Sequence, residues 1–423
     1  MMNSMKRIIS VILTCVMLFS MFVMVNAEGT GATTQAAKYA KEIDVIKSMG
    51  ILNGDETGAI NADANLTRAE FAQVLTVLLQ INYSEAAKEN AWYYTFKIPE
   101  DLDNVLLTPN SGLITGNEAT PSAPAEVEKV QKFADVETTH WAYNVITQIT
   151  DIGYMIGTSA TEFSPEEPVT VNQVNKVLVK ILGYEQFAMQ NGGYPAGYNY
   201  LASSLKVLKG INNYGETPIT RGELAKMLYN MFDVNMISAT MINDEGVATY
   251  ETSDKTFLND VLGVYKYEGK VTDNGTTALL GNSVIEKDEI KIGNSVFKLS
   301  PKAEYVKGFI GRYVEFYAVK DKESDDMTVI YAGLSKDSEE FTVEIKDFAD
   351  LKNGKLEFYD ENEKKDFVDV ATVPTIILNG SKVESVTKEE IKAFSNGTVT
   401  AMKSGESKMY DTIVIEGFVS VYV

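Results

Sequence analysis

The chain has 423 residues, a formal net charge of −21 and a single cysteine. Such an acidic protein is repelled by nucleic acid and by anionic lipid, so electrostatic binding to either is not expected. Cys15 lies in an N-terminal apolar stretch, so the rest of the chain must be stabilised by packed cores rather than by disulfides. A chain of this length predicts about two to four domains.

The first 27 residues have the features of a secretory signal peptide in the usual order. Lys6 and Arg7 form a short positive region, an apolar run over residues 8–25 follows, and Ala27 supplies a small side chain for cleavage. Cleavage after Ala27 lowers the formal net charge from −21 to −23. The alternative is a retained membrane anchor, because the run is nearly long enough to span a bilayer. No later stretch is apolar enough to cross a membrane, so no membrane contact is expected after cleavage.

An internal repeat organises the first half of the chain. In two copies a turn glycine is followed thirteen residues later by a threonine: Gly54 by Thr67, and Gly157 by Thr170. The third copy is shorter, and its Gly210, the counterpart of Gly50 and Gly153, leads to Thr220. Each copy predicts a helix, a loop, and a second helix that begins at the threonine. Because Glu70, Gln173 and Glu223 lie three residues after the threonines, each second helix is predicted to open with a capping box. A single two-helix unit cannot bury its apolar face, so the copies should share one core.

Short motifs within the repeats resemble a known family. The S-layer homology motif is similar to Phe133-Ala134-Asp135-Val136, His140-Trp141-Ala142, Phe163-Ser164-Pro165, Leu66-Thr67-Arg68-Ala69-Glu70 and Ile219-Thr220-Arg221-Gly222-Glu223. The resemblance implies an N-terminal all-α, pseudo-threefold helical repeat bundle. Together with the β pattern of the second half, this predicts an α+β multidomain chain. The three repeats are expected at 36–82, 131–185 and 193–234, with an insertion at 83–130.

What the resemblance implies about function is attachment to the envelope of a Gram-positive-type bacterium. Such repeats bind secondary cell-wall polysaccharide non-covalently, often through a pyruvylated sugar that carries a carboxylate, so the polymer is expected to be anionic. Matched residue by residue, the implied binding residues are Arg68, Arg221, Asp135 and Trp141, which would line grooves between neighbouring repeats. The expected location is therefore the cell wall or S-layer.

The residue chemistry supports this interpretation independently. After signal cleavage the chain keeps three arginines, and Arg68 and Arg221 occupy the same repeat position. A guanidinium grips a carboxylate bidentately, the first turn of a helix favours an anion, and Trp141 offers a sugar an apolar stacking face. The alternative is structural: each arginine pairs with a nearby acid, Trp141 fills the core and Asp135 caps a helix. Val171 replaces the arginine in the second repeat, so that groove is expected to be weakened.

The second half has a different pattern. After a predicted linker at 235–256, short β-branched and aromatic stretches alternate with turn signals such as Asn353-Gly354. They predict antiparallel β modules at 257–335 and 336–423. This region contains no histidine for a catalytic triad or a metal site, and its acidic stretch 323–326 lacks calcium-loop spacing. No catalytic residue, metal or cofactor is predicted.

The sequence therefore predicts a wall-anchoring protein without enzymatic activity, whose β half is a surface-exposed or lattice-forming module. An alternative from the enzyme class makes the β half a polysaccharide-processing domain, which would need a well-placed pair of acids in a cleft. A second alternative is structural: the β modules self-associate into a surface lattice, and the repeats only tether it.

Overall fold

A computed structural model describes residues 34–54, 58–79, 131–242, 248–321, 324–404 and 407–419. The predicted signal peptide and the predicted insertion at 83–130 lie outside these residues. The described chain is a mixed α and β protein, with most helices before residue 235 and the strands after it. No helix in these ranges is long and apolar enough to span a membrane.

The helices before residue 235 follow the predicted pairs. They are α1 (Gln35–Lys38), α2 (Ala40–Ser48), α3 (Arg68–Leu78), α4 (Tyr143–Asp151), α5 (Val171–Ile181), α6 (Glu185–Gln190), α7 (Ala196–Ser204) and α8 (Arg221–Phe232). Helices α2, α4 and α7 are the first helices of the repeats, and α3, α5 and α8 are the second. Gly50 and Gly153 follow the ends of α2 and α4 with φ of 70° and 72°, a left-handed conformation that favours glycine.

The predicted capping boxes are confirmed in all three second helices. Each threonine side chain accepts a hydrogen bond from the backbone three residues on, and each Glu or Gln side chain there accepts one from the threonine N–H. The six residues are Thr67 with Glu70, Thr170 with Gln173, and Thr220 with Glu223. Two otherwise unpaired amides per helix are thereby satisfied, which explains why the helices begin at these positions.

The segments immediately before α3, α5 and α8 hydrogen-bond to one another in a closed cycle. Val169 N–H donates to Leu66 O at 2.9 Å, Leu66 N–H donates to Ile219 O at 2.9 Å, and Ile219 N–H donates to Val169 O at 3.0 Å. All three side chains are fully buried. One continuous apolar core therefore joins the three repeats.

Removal of a capping hydroxyl tests the importance of this entry geometry. We expect Thr67→Ala to lower the free energy of unfolding by about 1 kcal/mol, because Glu70 N–H loses its side-chain acceptor at a buried helix start. Urea denaturation of the mature chain, followed by far-UV circular dichroism, measures this change. Thr67→Ser is the matched control and should stay close to the parent, since serine keeps the hydroxyl. Equal losses for both variants would contradict the capping explanation.

The segment predicted as a linker, 235–256, is instead a two-stranded antiparallel ribbon. Its strands are β1 (Asn235–Ile242) and β2 (Ala248–Thr256). The ribbon contacts the second repeat, where Ile237 N–H donates to Leu182 O at 3.1 Å. Thr, Ser and charged residues dominate β2, so the apolar alternation that marks a half-buried strand is absent from its sequence.

The remaining strands form a closed barrel and an open sheet. The barrel has the strand order β3-β4-β5-β7-β6 and contains β3 (Val264–Asp273), β4 (Glu289–Ile292), β5 (Ser295–Leu299), β6 (Tyr313–Lys320) and β7 (Met327–Leu334). The sheet has the order β8-β13-β14-β11-β10-β9, with β12 paired to β11, and contains β8 (Ser338–Glu344), β9 (Phe348–Lys352), β10 (Lys355–Tyr359), β11 (Lys365–Leu378), β12 (Ser381–Val383), β13 (Asn396–Ser404) and β14 (Tyr410–Phe418). Three short helices accompany them: α9 (Phe257–Asp260), the 3₁₀ helix Pro301–Phe309 and α10 (Lys388–Lys392).

The prediction of antiparallel modules is wrong for two strand pairs. β5 pairs with β7 in parallel, and β11 pairs with β14 in parallel. Turn signals reveal hairpins between consecutive strands, and the predicted turn at Asn353-Gly354 does join β9 to β10 with positive φ at both residues. Parallel partners are separated along the chain by other elements, so no local turn sequence marks them.

Candidate functional site

One of the predicted site residues, Asp135, holds the loop 156–167 of the second repeat through two hydrogen bonds. Asp135 Oδ1 accepts a hydrogen bond from Phe163 N–H at 2.9 Å, and Asp135 Oδ2 accepts one from Ser164 N–H at 2.6 Å. A carboxylate bonded to two backbone amides fixes the course of the chain around it. The position of Asp135 is therefore that of a loop-organising residue.

Arg68 reaches the same loop from the first repeat. The residue is 5% exposed, its Nε donates to Phe163 O at 2.8 Å, and its Nη2 donates to Ile156 O at 2.7 Å. The guanidinium also lies over the Phe163 ring, 4.6 Å from the ring centroid. Burial lowers the pKa of Arg68, while the charges of Glu167 and Asp135 oppose that shift, and the side chain stays protonated. Arg68 thus fastens repeat one to the loop of repeat two.

Trp141 lies on the outside of this region, and the residue is 60% exposed. Its ring stacks on His140, with 5.8 Å between centroids and an interplanar angle of 27°. His140 Nδ1 accepts the Ala142 N–H at 3.1 Å, and His140 Nε2 lies 3.5 Å from a carboxylate oxygen of Glu166. The alternative that Trp141 fills the core is therefore wrong, and an aromatic face next to loop 156–167 is available to solvent.

Arg221 occupies a different junction, between the third repeat and the first. Its Nη2 forms an ion pair with Glu70 Oε1, and both side chains are partly exposed. Glu70 Oε2 also accepts the Thr67 N–H at 3.0 Å as part of the capping box. The structure therefore brings Arg68, Asp135 and the Trp141 region to one loop and places Arg221 elsewhere. Arg221 has the acidic partner that the structural alternative expected.

The backbone amides beside the arginines are already occupied, contrary to expectation. Arg68 N–H donates to Glu167 O at 2.9 Å, and Arg221 N–H donates to Ala64 O at 3.0 Å. Each carbonyl belongs to the loop of the neighbouring repeat, which seals the start of the helix. The first-turn amides of these two helices therefore cannot hold an anion as the sequence argument assumed.

The junction between the second and third repeats contains a polar network that the sequence analysis did not predict. Asn172 Nδ2 donates to Glu216 Oε1 at 2.6 Å, Asn199 Nδ2 donates to Asn172 Oδ1 at 2.6 Å, and Asn175 Nδ2 donates to Asn199 Oδ1 at 2.8 Å. Val171, at the arginine position, is buried beside them. The available signal was the presence of two asparagines on a helix face that otherwise carries valine and leucine.

The β half offers no metal centre within the described ranges, where no group of three or more His, Cys, Asp or Glu residues could hold an ion. Its arginine, Arg312, lies at the junction of the barrel and the open sheet. There Arg312 Nε donates to Glu340 Oε1 at 2.9 Å, and both side chains are largely buried. Arg312 therefore joins two structural units, as Arg68 and Arg221 do.

Comparison with known proteins agrees with the repeat pattern. The family model described as "S-layer homology domain" matches residues 33–72 and 132–170. The chain is 22% identical over 378 residues to the "Middle cell wall protein" of Brevibacillus brevis, covering 82% of this chain and 31% of the relative. It is 23% identical over 390 residues to the "Surface-layer 125 kDa protein" of Lysinibacillus sphaericus, covering 86% and 28%. A 199-residue match to the "S-layer protein" of Bacillus thuringiensis subsp. finitimus is 23% identical and covers 42% and 24%.

These matches define the class of the protein. Two segments of the chain match the S-layer homology domain, and the similarity to surface-layer and cell-wall proteins supports a cell-wall or S-layer location. The chain aligns with less than a third of the length of each of these relatives. The three relatives carry names of structural surface proteins, and none of these names describes an enzyme.

Proposed function

We propose that three S-layer homology repeats, at 36–82, 131–185 and 193–234, form a pseudo-threefold bundle that anchors the protein non-covalently to secondary cell-wall polysaccharide. The closed cycle of hydrogen bonds through Leu66, Val169 and Ile219 supports the threefold arrangement, as do the three capping boxes. The third repeat lies outside the residues that the family model matches. Its assignment as a repeat rests on this hydrogen-bond cycle and on its own capping box.

The observation that carries the proposal is the exposed side chain of Trp141, which stacks on His140, itself 3.5 Å from Glu166 in the loop 156–167. The flat aromatic face of an exposed tryptophan suits the apolar face of a sugar ring. In this proposal Trp141 contacts the polymer, while Arg68 and Asp135 position the loop beneath it. These three predicted site residues thus have different roles.

Arg221 is proposed to supply the anionic part of the recognition. Its guanidinium is partly exposed, and its partner Glu70 keeps its capping bond through the other carboxylate oxygen. A ligand carboxylate, such as that of a pyruvylated sugar, therefore takes the place of one Glu70 oxygen without disturbing the helix start. Because the whole chain is strongly acidic, this local positive charge is what makes an anionic polymer acceptable.

The β half, at 257–335 and 336–423, is proposed to be a surface-exposed module that contributes to a surface layer. The names of the relatives motivate this part of the proposal. The barrel and the open sheet share apolar core residues, among them Val314 of the barrel and Ile377 and Val414 of the sheet. A continuous core gives the protein a stiff connection between the wall and its outer surface.

Co-sedimentation of the mature chain with purified cell walls tests the anchoring proposal. We expect binding to intact walls and loss of binding to walls from which the secondary polymer has been extracted. Free extracted polymer should compete with intact walls for the protein. Equal binding to intact and extracted walls would show that peptidoglycan is the ligand and would overturn the proposal.

A further inference from the structure

The cycle of three repeats contains one junction that the chain itself does not span. Repeats one and two, and repeats two and three, are consecutive in sequence, whereas repeats three and one meet only through non-covalent contacts. At this seam Lys226 of α8 forms an ion pair with Glu42 of α2 at 2.8 Å, and Tyr39 OH donates to Gly210 O at 2.9 Å. Opening of the seam separates the first and last repeats without breaking any covalent connection.

A carboxylate of the β barrel lies across this seam. Glu315 of β6 is 5% exposed, and its Oε1 lies 2.9 Å from Lys41 Nζ on α2 of repeat one. The same oxygen accepts a hydrogen bond from Tyr229 OH, on α8 of repeat three, at 3.3 Å. One buried atom of the barrel therefore contacts both sides of the seam.

The barrel holds Glu315 in place from its own side. Lys266 Nζ of β3 lies 3.4 Å from Glu315 Oε2, and Tyr317 OH donates to Glu315 Oε1 at 3.3 Å. Burial by itself would raise the pKa of Glu315, but the hydrogen bond from Lys41 and the charge of Lys266 lower that pKa below its usual range. The carboxylate is therefore ionised at neutral pH, and both lysines keep a buried counter-charge.

We propose that the β barrel is a clasp that closes the seam between repeats three and one, with Glu315 as its central residue. The apolar contacts agree, because Tyr317, Ile330 and Tyr331 of the barrel belong to the same core as the repeats. Bringing the first and last repeats together costs conformational entropy. By contacting both Lys41 of repeat one and Tyr229 of repeat three, Glu315 offsets part of this cost. The inference concerns the assembly of the anchor and does not depend on which ligand the anchor binds.

Hydrogen exchange of the mature chain, measured by mass spectrometry, tests the clasp. We expect E315Q to speed exchange roughly tenfold in α2 and α8, because removal of the buried charge takes from Lys41 its carboxylate partner at the seam, whereas Lys266 keeps Asp233 at 3.8 Å. Exchange in α5, away from the seam, should change much less. The matched control is E340Q, which breaks the Arg312 pair between the barrel and the open sheet and should leave α2 and α8 unaffected.

A second variant separates seam closure from the stability of the barrel. K41M removes the contact to repeat one but leaves Glu315 its bonds to Lys266 and Tyr317. We expect K41M to speed exchange in α2 and α8 and to leave β6 protected. Unchanged exchange in α2 for K41M, or an effect of E315Q that is confined to barrel strands, would overturn the proposal.

Discussion

Replacement of Arg68 by methionine is expected to lower the free energy of unfolding by about 3 kcal/mol. The substitution keeps much of the side-chain length but removes the donors that satisfy Phe163 O and Ile156 O. A buried carbonyl without a donor loses a charge-assisted hydrogen bond and is not rehydrated. The stacking of the guanidinium on the Phe163 ring is lost as well. Urea denaturation followed by tryptophan fluorescence measures the change.

The matched control for this prediction is Arg221→Met. Arg221 has the same repeat position, but its ion pair with Glu70 is partly exposed, so we expect a loss of about 1 kcal/mol or less. Arg68→Lys should fall between the two, because an ammonium group cannot donate to both carbonyls in the geometry of a guanidinium. Similar losses for the Arg68 and Arg221 methionine variants would contradict the assignment of Arg68 as a buried fastening between repeats.

Trp141→Ala is expected to weaken wall binding about 30-fold while the fold stays intact. Trp141 is 60% exposed in the free protein, so removal of its indole leaves no cavity in the core. If the polymer covers this ring, the loss of the stacking surface acts on affinity rather than on stability. Binding isotherms of the mature chain on intact walls measure the affinity, and circular dichroism checks the fold.

The control for Trp141 is another exposed aromatic residue of the repeats. Tyr214 in the third repeat is 80% exposed, and Tyr214→Ala should bind walls within about twofold of the parent. Arg221→Gln should weaken binding most strongly at low salt, because its proposed contact is between charges. Unchanged affinity of the Trp141 variant would place the binding surface away from loop 156–167.

The candidate site shows how far local sequence reasoning extends. The position of Arg68 and Arg221 in the repeat is visible in the sequence, but their different surroundings are not. Arg68 meets the full-length loop of the second repeat, whereas Val171 faces the third repeat. In the third repeat the loop between the glycine after the first helix and the threonine, Gly210 to Thr220, is seven residues shorter than that between Gly153 and Thr170. Each of these residues packs against a loop of another repeat. The environment of its side chain therefore depends on how the repeats are arranged around one another.

The sequence by itself determined the elements that depend on nearby residues: the helix pairs, the capping boxes, the glycine ends of α2 and α4, and the Asn353-Gly354 hairpin. Periodicity, caps and turns are short-range properties, so one stretch of chain specifies them. The tertiary structure alone decided the closed cycle, the parallel strand pairs, the burial of Arg68 and the position of Glu315 across the seam. Each of these requires contact between residues far apart in the chain, and such contacts leave no local pattern in a single sequence.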